Sequence, residues 1–338
     1  MRSKFPLAIA ALLTCLFVWS PVHGQSMPKE KQAEVAFDIR LDTLRGTPLY
    51  DMIKGNMDMV QSTGPQIDME KVQRIWGAVQ LPETAAEMAG LGNMEPGSEL
   101  PMELFARMVF QDSMAAKEAM NQVIEESKEV TKDGKTYYVP KGDDSPSNVF
   151  GHMLDENTIE FGTEGYLTGG AGEGVFSSGL TTAWGSFGEE PIRIAFDLDN
   201  ARGLIDEGLE MAKQASPGIP AGMLDLFTFT NDMRIAIDLK DGGNILKVGM
   251  AGTSEEDAEK LNSGLNGLLA LAKFGGANAV ENLRSQDAGA ADAMAAIIDS
   301  LESTRDGNNV DISIPKPDGF DDAIKRLMEM SGMGGGDF

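Results

Sequence analysis

The sequence predicts an α+β protein made of two tandem, diverged β-α-β-β-α-β repeats, ferredoxin-like in connection and with antiparallel sheets. Three observations lead there. Apolar residues recur at every second position in short runs, which marks half-buried strands. The phrase Leu41-Asp42-Thr43-Leu44-Arg45-Gly46 returns as Leu198-Asp199-Asn200-Ala201-Arg202-Gly203, an offset of 157. Finally, the strands are followed by segments that open on Asp or Ser, the residues that accept the free amides of a helix N-terminus.

The elements follow in order. Val35, Phe37, Ile39 and Leu41 form the first strand of one copy, and Ile192, Ile194, Phe196 and Leu198 that of the other. Each runs into the shared phrase, where Asp42 and Asp199 are placed to cap helices of about 43–54 and 200–215. Second strands follow at Ile75–Leu81 and Met233–Leu239, an offset of 158. The turn Asp241-Gly242-Gly243-Asn244 leads to a third strand at 245–250, whereas the first copy inserts a loop of about 82–101 before its third strand at 104–110. Ser113 and Ser254 then open second helices, about 114–126 and 255–273. Closing strands are expected at 136–139, 148–154 and 158–161 in copy one, and at 310–314 in copy two after a helix near 290–301. The domains are therefore 33–165 and 191–330, joined by a Gly-rich linker at 166–190 and followed by a flexible tail at 331–338.

Charge narrows the function classes. The chain has 338 residues with 28 Lys+Arg against 53 Asp+Glu, a net charge of −25. Such a surface repels phosphate backbones, so generic nucleic-acid binding is excluded. Arg2 and Lys4 precede the uncharged run Phe5–Trp19, which ends in Val22-His23-Gly24. This is the n-region, h-region and small-residue site of a signal peptide, with cleavage expected after Gly24 and export to the periplasm or beyond. Cys15 lies inside the apolar run without the small residue a lipid attachment site places before it. The mature chain would then have 338 − 24 = 314 residues, no cysteine, a charge of −25 − 2 = −27 and no segment apolar enough to span a membrane.

Little catalytic chemistry is written in this chain. His152 would be the single histidine left after export, and no Gly-x-Ser-x-Gly elbow supplies a nucleophile for it. The glycines around Gly170 lack the Gly-Lys-Ser/Thr of a phosphate loop. Asp197-Leu198-Asp199 lacks the Gly and Glu positions of a calcium loop. Met328, Met330 and Met333 stand in a Met-x-Met-x-x-Met spacing, which resembles a methionine copper(I) motif, since thioethers are soft ligands. Met328 also fits the apolar face of a helix at 321–330, and methionine commonly fills irregular cores. No cofactor is expected.

The phrase with Asp42, Arg45 and Gly46, the turn Asp155-Glu156-Asn157 before Thr158-Ile159-Glu160-Phe161-Gly162, and the leader together resemble uncharacterised exported bacterial proteins with duplicated α+β domains. That resemblance implies an envelope location and carries no activity. The expected function is a non-enzymatic, exported binding or interaction protein whose partner is an unknown protein or envelope component. The alternatives are a hydrolase with two carboxylates in a cleft between the repeats, and copper handling by methionine.

Overall fold

The computed structural model describes residues 32–61, 67–90, 99–132, 134–141, 149–169, 176–215, 226–240 and 242–330. The leader, the centre of the Gly-rich stretch and the tail lie outside them. The described residues fall into two compact units: Tyr50–Ser177 together with the chain up to Arg45, and the chain from Ser178 together with Gly46–Leu49.

In the first unit β1 (Val35–Arg40) runs into a single helical turn, α1 (Leu41–Leu44), and then into α2 (Pro48–Gln61). There follow β2 (Val72–Gln80), α3 (Ala85–Gly90), β3 (Glu103–Phe110), α4 (Ser113–Glu125), β4 (Ser127–Lys132), β5 (Lys135–Pro140), β6 (Val149–Met153), β7 (Thr158–Thr163) and α5 (Glu164–Gly169). Its strands lie in the order β1-β2-β3-β7-β6-β5-β4, and every pairing is antiparallel.

The second unit opens with α6 (Ser178–Gly185), β8 (Ile192–Asp197), α7 (Arg202–Ala215), β9 (Thr230–Ile237) and β10 (Asn244–Gly252). It continues with α8 (Glu255–Arg284), α9 (Ala288–Ser300), β11 (Ser303–Asp306), β12 (Asn309–Pro315) and α10 (Phe320–Met330). Its strand order is β8-β9-β10-β12-β11, again antiparallel.

The α+β class and the antiparallel sheets are as expected, while strand number and order differ. A ferredoxin-like connection would set the first strand parallel to the third. Here α1 and α2 bring the chain back beside the strand it has just left, so β1 pairs with β2 antiparallel and no crossover forms. β4 and β11 were also unforeseen, because Ser127–Lys132 and Ser303–Asp306 carry no apolar alternation. Both are outermost in their unit's strand order, where charged side chains discourage further pairing. In the span 166–190 the described residues include α6 and the end of α5, with Leu167, Leu180 and Ala183 buried.

The two units nonetheless follow one plan. In each, a strand, a helical connection and a hairpin make a three-stranded meander, and after a second helix the last-formed strand of the unit pairs with the third. The recurring arginine has the same task in both. Arg45 Nη2 donates to the Val72 carbonyl at 3.0 Å, and Arg202 Nη2 donates to the Thr230 carbonyl at 2.6 Å, 158 residues on from Val72. Arg202 Nη1 also donates to the Phe227 carbonyl at 2.6 Å. The guanidinium thus ties the strand-to-helix corner to the start of the next strand. Arg202→Ala should cost about 2 kcal/mol, since it removes the charged donors that tie this corner to the next strand. A urea midpoint equal to that of the parent would refute this tie.

Helix starts are fixed by neighbouring residues rather than by all those expected. Asp42 is exposed and makes no capping bond, because α1 begins directly from the strand. Asp197 instead of Asp199 accepts the Asn200 amide at 2.9 Å. Asp112, one residue before Ser113, accepts the Met114 and Ala115 amides. Ser254 does cap α8 through the Asp257 amide at 3.1 Å, and Asp257 receives the Ser254 hydroxyl in return. Beneath α8 lies a core of Leu226, Ala258, Leu261, Leu265 and Val310, each large side chain worth about 1.5–3 kcal/mol on burial. α9 and α10 meet through Ala290, Ala293 and Ala323.

Candidate interaction surface and the buried charges

Strand register in the first unit sets five side chains in one row across the sheet. Asp38 on β1 faces Trp76 on β2, Trp76 faces Arg107 on β3, Arg107 faces Glu160 on β7, and Glu160 faces His152 on β6. The opposite face carries Phe37, Ile39, Ile75, Met108 and Ile159, all buried. Three members of the row, Asp38, Glu160 and His152, are buried as well, so each charge needs a partner.

Those partners are present. Arg74 grips Asp38 with two bonds, Nε to Oδ1 at 2.6 Å and Nη2 to Oδ2 at 3.0 Å. Arg107 Nε donates to Glu160 Oε1 at 2.6 Å, and its guanidinium stands 4.7 Å from the Trp76 ring centre. His152 Nε2 is 3.7 Å from Glu160 Oε2, too far for a good hydrogen bond. Its Nδ1 is buried without a hydrogen-bond partner among the described residues, and the Tyr137 ring lies against it at 5.0 Å. Asp38 and Glu160 are therefore each held by an arginine, while His152 is packed beside them without a close hydrogen bond. His152, the residue weighed for catalysis, faces a tyrosine and a carboxylate that Arg107 already holds.

Burial holds His152 below the ordinary imidazole range, against the attraction of Glu160 and with the repulsion of Lys135 and Arg107. The sign follows from linkage. Protons bind the unfolded chain more tightly, so this contribution is complete above the unfolded value of about 6.5 and is lost as pH falls through the depressed folded value. His152→Gln should flatten that part of the profile. Unfolding midpoints taken at about pH 7.5 and about pH 5 would show it as a smaller acid loss in the variant than in the parent.

The second unit has a simpler counterpart. Arg234 on β9 reaches over Gly249 on β10 to Asp311 on β12 at 3.4 Å. Gly249 makes this possible, since a Cβ there would sit 2.6 Å from the guanidinium and 2.7 Å from the carboxylate. Nearby, Asp232 pairs in register with Asp197, both buried. Burial and the Asp197 charge push the Asp232 carboxyl up, while Arg234 opposes the shift.

The methionines weighed as copper ligands fall at or beyond the C-terminal end of the described residues. Met328 and Met330 end α10, and Met333 lies outside the described residues. Among the described residues no group of three or more His, Cys, Asp or Glu is placed to hold a metal ion. A groove of about 360 Å³ lies beside α4, lined by Asp68, Lys71, Phe110, Glu118 and Glu125 among others, but Lys71 is held by Glu118 at 2.6 Å. It is shallow and acid-rich, unlike a small-molecule pocket.

The outstanding surface is on α8. From Leu261 to Val280 this helix carries a single charge, Lys273, in a chain with 53 acids. Leu271 and Phe274 stand 66% and 77% exposed in the middle of that stretch, and Met294 on neighbouring α9 is 38% exposed. Lys273 turns toward α9, donating to the Asp299 carbonyl at 3.1 Å. Gly267, Ala270, Ala277 and Asn278 complete an exposed strip of small and uncharged residues. The charge gap is visible in the sequence. The expected helix ends at 273, short of the observed Arg284, and periodicity alone does not say which apolar side chains stay outside.

Among the described residues no helix is long and apolar enough to cross a membrane. No family model matches the chain, and no curated protein matches it. Among solved structures, crystal form IV of TP0453 is 8% identical, with 90% of this chain and 94% of that chain covered at a TM-score of 0.40. Crystal form III of TP0453 is 8% identical, with 87% and 93% covered at 0.37, and form I is 8% identical, with 87% and 92% covered at 0.38. The resemblance to known proteins is loose, and no residue described above takes its role from it.

Proposed function

We propose that the protein is an exported interaction module that works through the α8–α9 face and has no chemical step of its own. One observation carries this reading: Leu271 and Phe274 project from a charge-free helix surface of a strongly acidic chain. Large apolar groups held in water on an ordered helix are costly, and such patches mark contact sites. Export is supported by Arg2, Lys4 and the apolar run before Gly24. The partner is a protein or other envelope component that offers an apolar surface.

The test is site-specific photo-crosslinking in cells, with p-benzoylphenylalanine in place of Phe274. A discrete covalent product is expected from position 274 and not from exposed Asp306 on β11. Equal or absent products at the two positions would sink the reading.

A further inference from the structure

We infer that the occupant of the α8 face is a second copy of this chain, its α8 packed antiparallel on the first about a twofold axis between Ala270 and Leu271. This rests on the reading of that face as a contact surface and names what covers it.

The argument is self-complementarity. Ser263, Gly267, Ala270, Leu271, Phe274 and Asn278 recur at spacings of three and four along a regular 30-residue helix, so they share one face, and all are exposed. An antiparallel pair about that axis sets residue n of one copy against residue 541 − n of the other. Phe274 then meets Gly267 of the second copy, and Leu271 meets Ala270. Phe274 thus meets open space, for nothing lies within 4 Å of where a Gly267 Cβ would stand, and Leu271 meets a small side chain. Small residues facing large ones let two helices approach closely.

The polar ends match by the same rule. Asn278 falls opposite Ser263 of the second copy, donor to acceptor. Lys260 falls opposite Glu281 of the second copy; within one chain Lys260 pairs with Glu256 and Asp257 and Glu281 with Arg284, exposed surface pairs that a contact across the axis would join or exchange. The charge gap also lets two chains of −25 approach, because no acid of one α8 strip faces an acid of the other between those ends. An isologous contact closes on itself and stops at two copies. It runs about 30 Å along the helix, from 260 to 281 at 1.5 Å per residue, which makes a reversible dimer at the small end of specific interfaces.

Sedimentation equilibrium of the full chain tests this. The parent should be a concentration-dependent dimer. Gly267→Leu fills the hole from an open surface position and leaves the fold alone, and Phe274→Glu removes the knob; each should weaken self-association by about tenfold or more. Glu281→Lys alone should weaken it, and Lys260→Glu with Glu281→Lys should restore it. Circular dichroism confirms that the variants remain folded.

A parent that stays monomeric at every concentration overturns the proposal, as does a dimer indifferent to Gly267→Leu. The mass of the crosslinked product from position 274 separates the two readings. Twice the chain mass supports the dimer. Any other mass ends the dimer and leaves the interaction module standing, and no product ends both.

Discussion

Arg107→Ala is expected to destabilise the first unit by about 3–5 kcal/mol, because it leaves Glu160 buried and without its cation. Glu160 is only 3% exposed. His152 does not replace the lost partner, since charging it means protonating an imidazole that burial keeps neutral. The effect should be unequal in a double-mutant cycle. Arg107→Met combined with Glu160→Leu removes both charges from similar volumes, and recovers most of the loss. Guanidinium unfolding of the four proteins gives the coupling directly. Trp76 reports on the same site, since the guanidinium stands over its ring. A single variant as stable as the parent would show that the pair is solvated.

Gly77→Ala is expected to cost about 3 kcal/mol or to leave the first unit unfolded. Gly77 lies in β2 between Phe37 of β1 and Ala106 of β3. A Cβ there would overlap the Phe105 carbonyl oxygen and come within 2.8 Å of Phe37 Cζ. The phenyl ring of Phe37 is held in the core, and the carbonyl belongs to the ladder, so neither yields cheaply. Phe37→Leu in the same chain relieves only the ring. If the double variant regains full stability, the carbonyl contact is unimportant and the backbone argument fails. Gly55→Ala on the exposed side of α2 is the matched control and should be neutral or slightly stabilising, as expected for Ala in an exposed helix.

The sequence located most strands and helices because alternation and capping act within ten residues. Third strands expected at 104–110 and 245–250 are Glu103–Phe110 and Asn244–Gly252. Neighbour relations act over longer distances and leave no periodic mark. Nothing in β1 or β2 tells that the helices between them close an antiparallel pair rather than cross to a parallel one. The role of the recurring arginine was equally hidden. Its repetition was plain, but its target, a carbonyl 27 or 28 residues on, appears only once the corner is folded. Buried charges were the least legible, since Asp38, Arg107 and Glu160 look like solvent-facing members of alternating strands until a register sets them side by side.

The strand order also has a consequence for the time course of folding. β3 ends at Phe110 and its second neighbour, β7, starts at Thr158; β10 ends at Gly252 and waits for β12 at Asn309. During synthesis from the N-terminus, each three-stranded meander therefore holds an open, apolar edge until the last segment of its unit has emerged. Closing over so many residues is slow, because loop entropy is lost before any of the contacts form. The rate-limiting step of each unit should be the arrival of that final strand, and the unfinished edge is where a chain crowded by its neighbours would go astray.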